Sequence, residues 1–263
     1  MPAIVARLRA AGCVSAEEEA RLLVSAARNP AELRAMVDRR VSGVPLEQIL
    51  GWVRFCGIRV AVAPGVFVPR PRTGLLVRAA AALAGRDGTT VVDLGCGSGA
   101  VGAAVSAAAA GRIRLYAADL DPAAVACARR NLAPVGGQVF QGDLFAALPD
   151  RLRHRVDVLV ANLPYVPTGA IGLLPPEARL HEPRRALDGG TDGLDLVRRV
   201  AAGAGGWLAP GGHLLVEISH RQVPAARRAF ARAGLTPRMV RDDELEATVL
   251  IGFSAGSADL RDN

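Results

Sequence analysis

Residues 91–99 read Val91-Val92-Asp93-Leu94-Gly95-Cys96-Gly97-Ser98-Gly99. A short apolar run carries an acid near its end, and three glycines follow at alternate positions. Thr90–Leu94 has the pattern of a buried strand and Ala100–Ala110 that of a helix, so the stretch reads as strand, tight turn and helix. Glycines in such a turn let a ligand approach backbone N–H groups at a helix start. Outward from here the alternation continues. Ile113–Ala118, Gln138–Gln141, Val156–Ala161 and Gly212–Ile218 read as strands, and Ala247–Phe253 is a last apolar run. Thr73–Ala84, Pro122–Asn131, Asp192–Ala204 and Pro224–Ala233 read as helices. Alternation of this kind predicts an α/β fold, a mainly parallel sheet with helices on both faces.

Two ligand classes compete for the loop. Gly97-Ser98-Gly99-Ala100-Val101-Gly102 satisfies the dinucleotide pattern, with Asp119 as a candidate ribose acid. Asp93 discriminates between them. It sits two residues before Gly95, where it would repel a pyrophosphate and attract the sulfonium and ammonium of S-adenosylmethionine. The composite of Asp93, Gly95, Gly97 and Gly99, with an acid after the next strand, resembles the class I methyltransferase signature. On that reading Asp93 orients the loop and the cofactor's cationic end. Asp119 takes both ribose hydroxyls, and Asp143 the adenine amino group. Asp121 is the rival of Asp119 and reads better as the N-cap of the helix opening at Pro122. The cofactor set expected is Asp93, Gly95, Cys96, Gly97, Gly99, Asp119, Leu120, Asp143, Leu144 and Asn162, with no metal.

The strand ending at Ala161 runs into Asn162-Leu163-Pro164-Tyr165. This resembles the (Asn/Asp)-Pro-Pro-Tyr motif of methyltransferases that act on planar nitrogen. An amide or aryl amine nitrogen is a poor nucleophile because its lone pair is delocalised. The Asn162 side-chain oxygen and the Leu163 carbonyl can accept from its N–H groups and aim the lone pair at the methyl group. Tyr165 packs on the acceptor plane. Asn162, Leu163, Pro164 and Tyr165 are the expected catalytic set, and positioning of this kind can lower a barrier by roughly 7–11 kcal/mol.

The resemblance widens at Pro45-Leu46 through Gly51, Pro64-Gly65 through Pro71, His181-Glu182-Pro183, Leu187 through Gly190, Asp192-Gly193-Leu194 and Gly211 through Ile218. Together these are similar to the HemK/PrmC family of protein-(glutamine-N5) methyltransferases. The likeness implies a Rossmann-like class I fold with a mostly parallel seven-stranded sheet. It also implies S-adenosylmethionine as cofactor and a release-factor glutamine in a Gly-Gly-Gln loop as acceptor. Three features depart from the family: Leu163 replaces its first proline, Arg72 its acid after Arg-Pro, and the helical unit before Pro45 is shorter. These keep alternatives open, namely N-methylation of RNA, DNA or a small molecule, or a non-catalytic paralogue. Glu217 reads as a local structural partner, Glu182 as facing the substrate loop, and Trp52 and Trp207 as packing residues.

The expected organisation is a helical substrate-recognition unit over 1–43, a β-hairpin linker over 44–72, the methyltransferase domain over 73–253 and a flexible tail over 254–263. Ser15 and Glu18 read as a capping box, and Asn29-Pro30 as a second helix start. The chain has 263 residues, 32 of them basic against 25 acidic, a formal charge of +7. Every basic residue is arginine. This suggests an anionic partner, but the arginines are scattered and the alanine runs point to a GC-rich coding sequence. No uncharged apolar run reaches the ~20 residues of a membrane helix, and Arg7 and Arg9 interrupt any signal-peptide core. Scattered cysteines and histidines give no metal or disulfide spacing. The expectation is a cytoplasmic monomer with a release factor as partner, and neither membrane nor nucleic acid.

Overall fold

The computed structural model describes residues 1–254. Its helices and strands follow in the order α1 (Pro2–Ala10), α2 (Ala16–Ala26), α3 (Pro30–Val41), α4 (Leu46–Leu50), β1 (Trp52–Phe55), β2 (Ile58–Ala61), α5 (Gly74–Leu83) and β3 (Thr90–Leu94). Then come α6 (Ala100–Ala108), β4 (Arg114–Asp119), α7 (Pro122–Leu132), β5 (Gln138–Gln141), β6 (Val156–Ala161) and α8 (Pro176–His181). The chain continues through α9 (Asp195–Ala204), β7 (Leu208–Ile218), α10 (Val223–Arg232), β8 (Leu235–Asp242) and β9 (Ala247–Ser254).

Seven strands form one sheet in the order β5-β4-β3-β6-β7-β9-β8. Strands β3 to β7 run parallel, and β9 lies antiparallel to both β7 and β8. The expected mixed, mostly parallel sheet is therefore present. The pleat sorts each strand between two cores. Val92 and Leu94 join Leu159, Val197, Val200 and Phe230 on one face. Val91 joins Leu76, Ala104, Val158 and Leu215 on the other. Asp93 shares the Val91 face, so its carboxylate is carried under α6.

The first helices carry a smaller core of Leu8, Ala20, Leu23, Met36 and Val37, against which Leu46 and Ile49 pack. The β1–β2 hairpin is fastened to the sheet domain by Asn131. Its Nδ2 donates to the carbonyls of Ala61 (2.9 Å) and Ser98 (2.8 Å), and its Oδ1 accepts from the Ala61 N–H (2.9 Å).

Some local expectations change. The Ser15 hydroxyl makes no capping bond; Glu17 pairs with Arg9 and Glu19 with Arg40 instead. Asn29 does cap α3, its Oδ1 accepting from the Glu32 N–H at 2.9 Å. Strand β8 is absent from the sequence reading because Pro237 reads as a strand breaker; the strand nevertheless pairs through Pro237, since it lies at the sheet edge, where a missing donor is tolerated. Strand β7 begins before Gly212, at Leu208, and its pairing with β6 shifts register between Val156 and Val158. Of the expected tail, Ser254 closes β9, and residues 255–263 lie outside the described residues. No helix among the described residues is long and apolar enough to cross a membrane.

Candidate active site

After β3 the chain builds β4 and β5 on one side, then crosses back to build β6 and β7 on the other. A doubly wound sheet has its crevice at that switch, beyond the carboxyl ends of the strands. A cleft of about 350 Å³ lies there. Asp93 on β3, Asp119 at the end of β4, Asn162 just past β6 and Glu217 near the end of β7 all line it.

On one side of the cleft the turn after β3 is held by its own backbone and by two acids. The N–H groups of Gly95 and Cys96 donate to the Ala118 carbonyl at 2.8 and 3.1 Å. Asp119 accepts from the N–H groups of Gly97 and Asp121, each at 2.8 Å. Asp93 Oδ2 accepts from the Gly102 N–H at 2.9 Å, inside the first turn of α6. Burial raises the Asp93 carboxyl to about 7; the Gly102 bond opposes the rise and the nearby Asp119 charge adds to it. Asp119 is also raised by burial, against the pull of its two backbone donors. Burial and the two acids push the Cys96 thiol well up, so this side chain is a packed, inert thiol rather than a nucleophile.

Gly95 has φ +66°, and a Cβ there would lie 3.0 Å from Leu163 Cδ2. Leu163 is buried, so in this chain it packs beneath the glycine turn and ties the two halves of the site together. Ser98 lines the cleft with a buried hydroxyl that has no hydrogen-bond partner. Asp121 caps α7, its Oδ1 accepting from the Ala123 N–H at 2.9 Å, and pairs with Arg185 at 3.1 Å. Leu120 is exposed beside it; Asp143 and Leu144 line the same cleft, with Asp143 paired to Arg199 at 2.7 Å. This donor set suits a ligand with a cationic end, a diol and a polar ring edge. It comprises a fully buried acid, a strand-end carboxylate and a buried hydroxyl without a protein partner.

On the other side, Asn162 Nδ2 donates to the Thr73 hydroxyl at 3.2 Å. The amide oxygen is left as an acceptor. Tyr165 donates its hydroxyl to Glu217 Oε1 at 3.1 Å, and its ring lies 5.6 Å beneath the Arg72 guanidinium. Burial and the Glu217 charge raise the phenol, so it stays neutral. The loop behind this turn explains the glycine-rich segment 187–193. Val166 bridges Asp188, and Gln222 Nε2 donates to the carbonyls of Tyr165 and Asp192, each at 2.9 Å. A side chain at Gly193, where φ is +78°, would collide with the Tyr165 carbonyl. Glu182 accepts from the Val68 N–H at 3.1 Å and from Arg70 at 2.7 Å. It clamps the linker to the cleft rather than facing the substrate loop.

All the expected site residues thus meet at one cleft: Asp93, Gly95, Cys96, Gly97, Asp119, Leu120, Asp143, Leu144, Asn162, Leu163, Pro164 and Tyr165 line it, and Gly99 caps α6 beside it. Sequence reasoning missed Thr73, Arg72, Gln222 and the placement of Glu217. Their one signal was position: Glu217 is a charged residue within an apolar strand. No cluster able to hold a metal occurs among the described residues.

The family described as methyltransferase small domain matches residues 58–190. A release factor glutamine methyltransferase of Geobacter sulfurreducens is 40% identical over 233 residues, 87% of this chain and 80% of that protein. One from Cereibacter sphaeroides is 37% identical over 92% of both chains. A 4-amino-L-phenylalanine/4-methylamino-L-phenylalanine methyltransferase of Streptomyces pristinaespiralis is 40% identical over 74% of this chain and 69% of that protein. Among solved structures, a methyltransferase from Pyrococcus furiosus shares the fold, with a TM-score of 0.57 at 15% identity over 76% of this chain and 90% of that one. The shared fold, the cofactor-type cleft and these relatives agree: the chain is an S-adenosylmethionine-dependent methyltransferase and belongs to the release factor glutamine methyltransferase family.

Proposed function

We propose that the chain methylates the side-chain amide nitrogen of a glutamine in a peptide-chain release factor. The observation that carries this reading is the Asn162 amide, anchored through Nδ2 on Thr73 with its oxygen free to accept. An acceptor amide N–H donating to Asn162 Oδ1 and to the Leu163 carbonyl is held with its lone pair directed across the cleft. Tyr165, fixed by Glu217, supports the plane of the acceptor.

S-adenosylmethionine supplies an electrophilic methyl on a sulfonium. Asp93 would face its cationic end, Asp119 its ribose hydroxyls and Asp143 its adenine edge. Gly95, Cys96, Gly97 and Gly99 provide the close backbone approach, and Leu120 and Leu144 the apolar cover. In the transfer the acceptor nitrogen would take the methyl as the methyl–sulfonium bond gives way, with the bonding pair left on sulfur, and would release one proton to water. The chain's contribution is orientation, worth up to roughly 7–11 kcal/mol. Residues 1–43 serve as the substrate grip and 44–72 as the linker that Glu182 and Asn131 hold in place. The reading carries with it a monomer working in the cytoplasm, where peptide-chain release takes place.

The relative acting on 4-amino-L-phenylalanine supports a second reading, because an aryl amine presents the same planar nitrogen. Purified chain with tritiated S-adenosylmethionine, offered release factor, total RNA, DNA and 4-amino-L-phenylalanine in parallel, separates the two. Label on a release-factor glutamine is expected. Label on the amino acid alone, or on nucleic acid alone, replaces the first reading.

A further inference from the structure

We propose that Arg72 is a specificity-determining residue of the acceptor site: its guanidinium takes main-chain carbonyl oxygens of the acceptor peptide beside the target glutamine. The inference rests on the glutamine reading above and adds what recognises the peptide around that side chain.

The local fold presents this side chain to the cleft. Arg72 is the middle residue of the 3-10 turn Pro71–Thr73. Pro71 fixes the first backbone angle of that turn, and the buried Thr73 accepts from Asn162 Nδ2 at 3.2 Å. The turn is thus tied to the residue expected to hold the acceptor nitrogen. Arg72 lines the cleft with its side chain 46% exposed. Its guanidinium lies 5.6 Å from the centre of the Tyr165 ring, on which the acceptor plane is expected to rest. Arg72 Nε faces Glu217 Oε1 at 3.3 Å, and that oxygen also accepts from the Tyr165 hydroxyl at 3.1 Å. Turn, ring and carboxylate together hold the guanidinium at the edge of the acceptor seat.

The outer donors of this guanidinium are unused within the chain. A guanidinium carries five N–H groups in a fixed fork. Arg72 Nη1 and Nη2 donate no hydrogen bond to the described residues. Solvent serves such donors in an open cleft. An acceptor seated on Tyr165 displaces that solvent, and donors then left unpaired oppose binding. A glutamine whose amide reaches Asn162 has its own main chain only a few bonds away, on the side where Arg72 is exposed.

Charge decides which oxygens suit the fork. Glu217, 2% exposed, already balances Arg72, and the buried Glu182 balances the neighbouring Arg70 at 2.7 Å. A substrate carboxylate would compete with Glu217 for one positive charge. A neutral carbonyl takes the outer N–H groups and leaves the pair in place. The seat therefore favours a peptide, with an amide carbonyl on either side of the target, over a free amino acid that carries an α-carboxylate.

The test uses the full chain saturated with S-adenosylmethionine and purified release factor as acceptor. kcat and KM are measured for wild type, Arg72→Met, Glu217→Gln and the double variant. Arg72→Met keeps an apolar stem and removes charge and donors, and in the double variant no buried carboxylate is left without its partner. Arg72→Met should raise KM by roughly tenfold or more, in the wild-type and Glu217→Gln backgrounds alike, with a smaller change in kcat. An unchanged KM, or a rise that disappears in the Glu217→Gln background, overturns the proposal, because Arg72 then serves only as the partner of Glu217. A wild type that labels no release factor overturns the glutamine reading alone. In that event, calorimetry of the cofactor-loaded chain with an acetylated and amidated Gly-Gly-Gln peptide decides for Arg72. Beyond the target amide, the oxygens of that peptide are all backbone or cap carbonyls. Binding that is weaker in the double variant than in Glu217→Gln supports the proposal; equal binding in the two, or none by the wild type, overturns it.

Discussion

Asn162 and Asp119 do separable work, and substitution should separate them. Asn162→Ala removes the acceptor for the substrate N–H while leaving the glycine turn untouched. Turnover should fall by about a hundredfold or more, with cofactor affinity nearly unchanged by calorimetry. Asp119→Ala frees the N–H groups of Gly97 and Asp121 along with any ribose contact. It should weaken cofactor binding by about 1.5–3 kcal/mol; unchanged affinity would remove Asp119 from the ribose. Asp93 adds a pH dependence. Its carboxyl is raised to about 7, so the folded protein holds a proton there that an unfolded chain, with an ordinary aspartate, has already released. The contribution to stability is therefore present at acid pH and declines as pH rises from the ordinary aspartate range toward 7. A cationic ligand favours the ionised form. Cofactor affinity should then rise with pH up to about 7 and level off above it, with proton release on binding below that point. A flat affinity across that range would place the cationic end elsewhere.

At the scale of elements, capping and clamping decide what the local sequence can hold. Ser15 caps nothing and Asn29 caps α3, so Ser15→Ala should be close to neutral while Asn29→Ala costs about 1 kcal/mol. Asn131→Leu breaks the clamp between the hairpin, α7 and the glycine turn, leaving polar groups of Ala61 and Ser98 without it. A loss of about 2–3 kcal/mol is expected by denaturant titration. The same elements show what a sequence makes legible. Strands β3 and β6, largely buried, write themselves as short apolar runs, each broken by a single aspartate, Asp93 or Asp157. The edge strand β8 does not, because exposed arginines and Pro237 are tolerated where one side needs no partner. Helix α1 has no acid in its first turn and carries Arg7 and Arg9, and only Leu8 is fully buried in the small core. In the site, the glycine turn and Asn162–Tyr165 are local strings and can be read directly. Thr73, Glu217 and Gln222 come from distant segments and meet only through sheet order, which local periodicity does not encode.

Over the whole molecule, the N-terminal helices are joined to the loop that flanks the site. Arg40, largely buried, pairs with Glu19 at 2.6 Å and with Glu177 on α8 at 3.3 Å. Gln48 Nε2 reaches the His181 carbonyl at 3.5 Å. A grip on a substrate protein by α1–α3 would thus be registered close to the cleft. The charge of +7 predicts steering of an acidic partner: if the release factor presents an acidic face, association should slow as ionic strength rises, in stopped-flow mixing, while the chemical step is little affected. An on-rate indifferent to salt would leave the arginine excess to codon composition alone. The chemistry comes down to one methyl group on a glutamine amide nitrogen, and mass spectrometry of release factors from host cells with and without this protein reads it out. A release-factor glutamine heavier by one methyl substitution is expected only when the protein is present. The same unmodified glutamine in both samples would refute glutamine methylation by this chain.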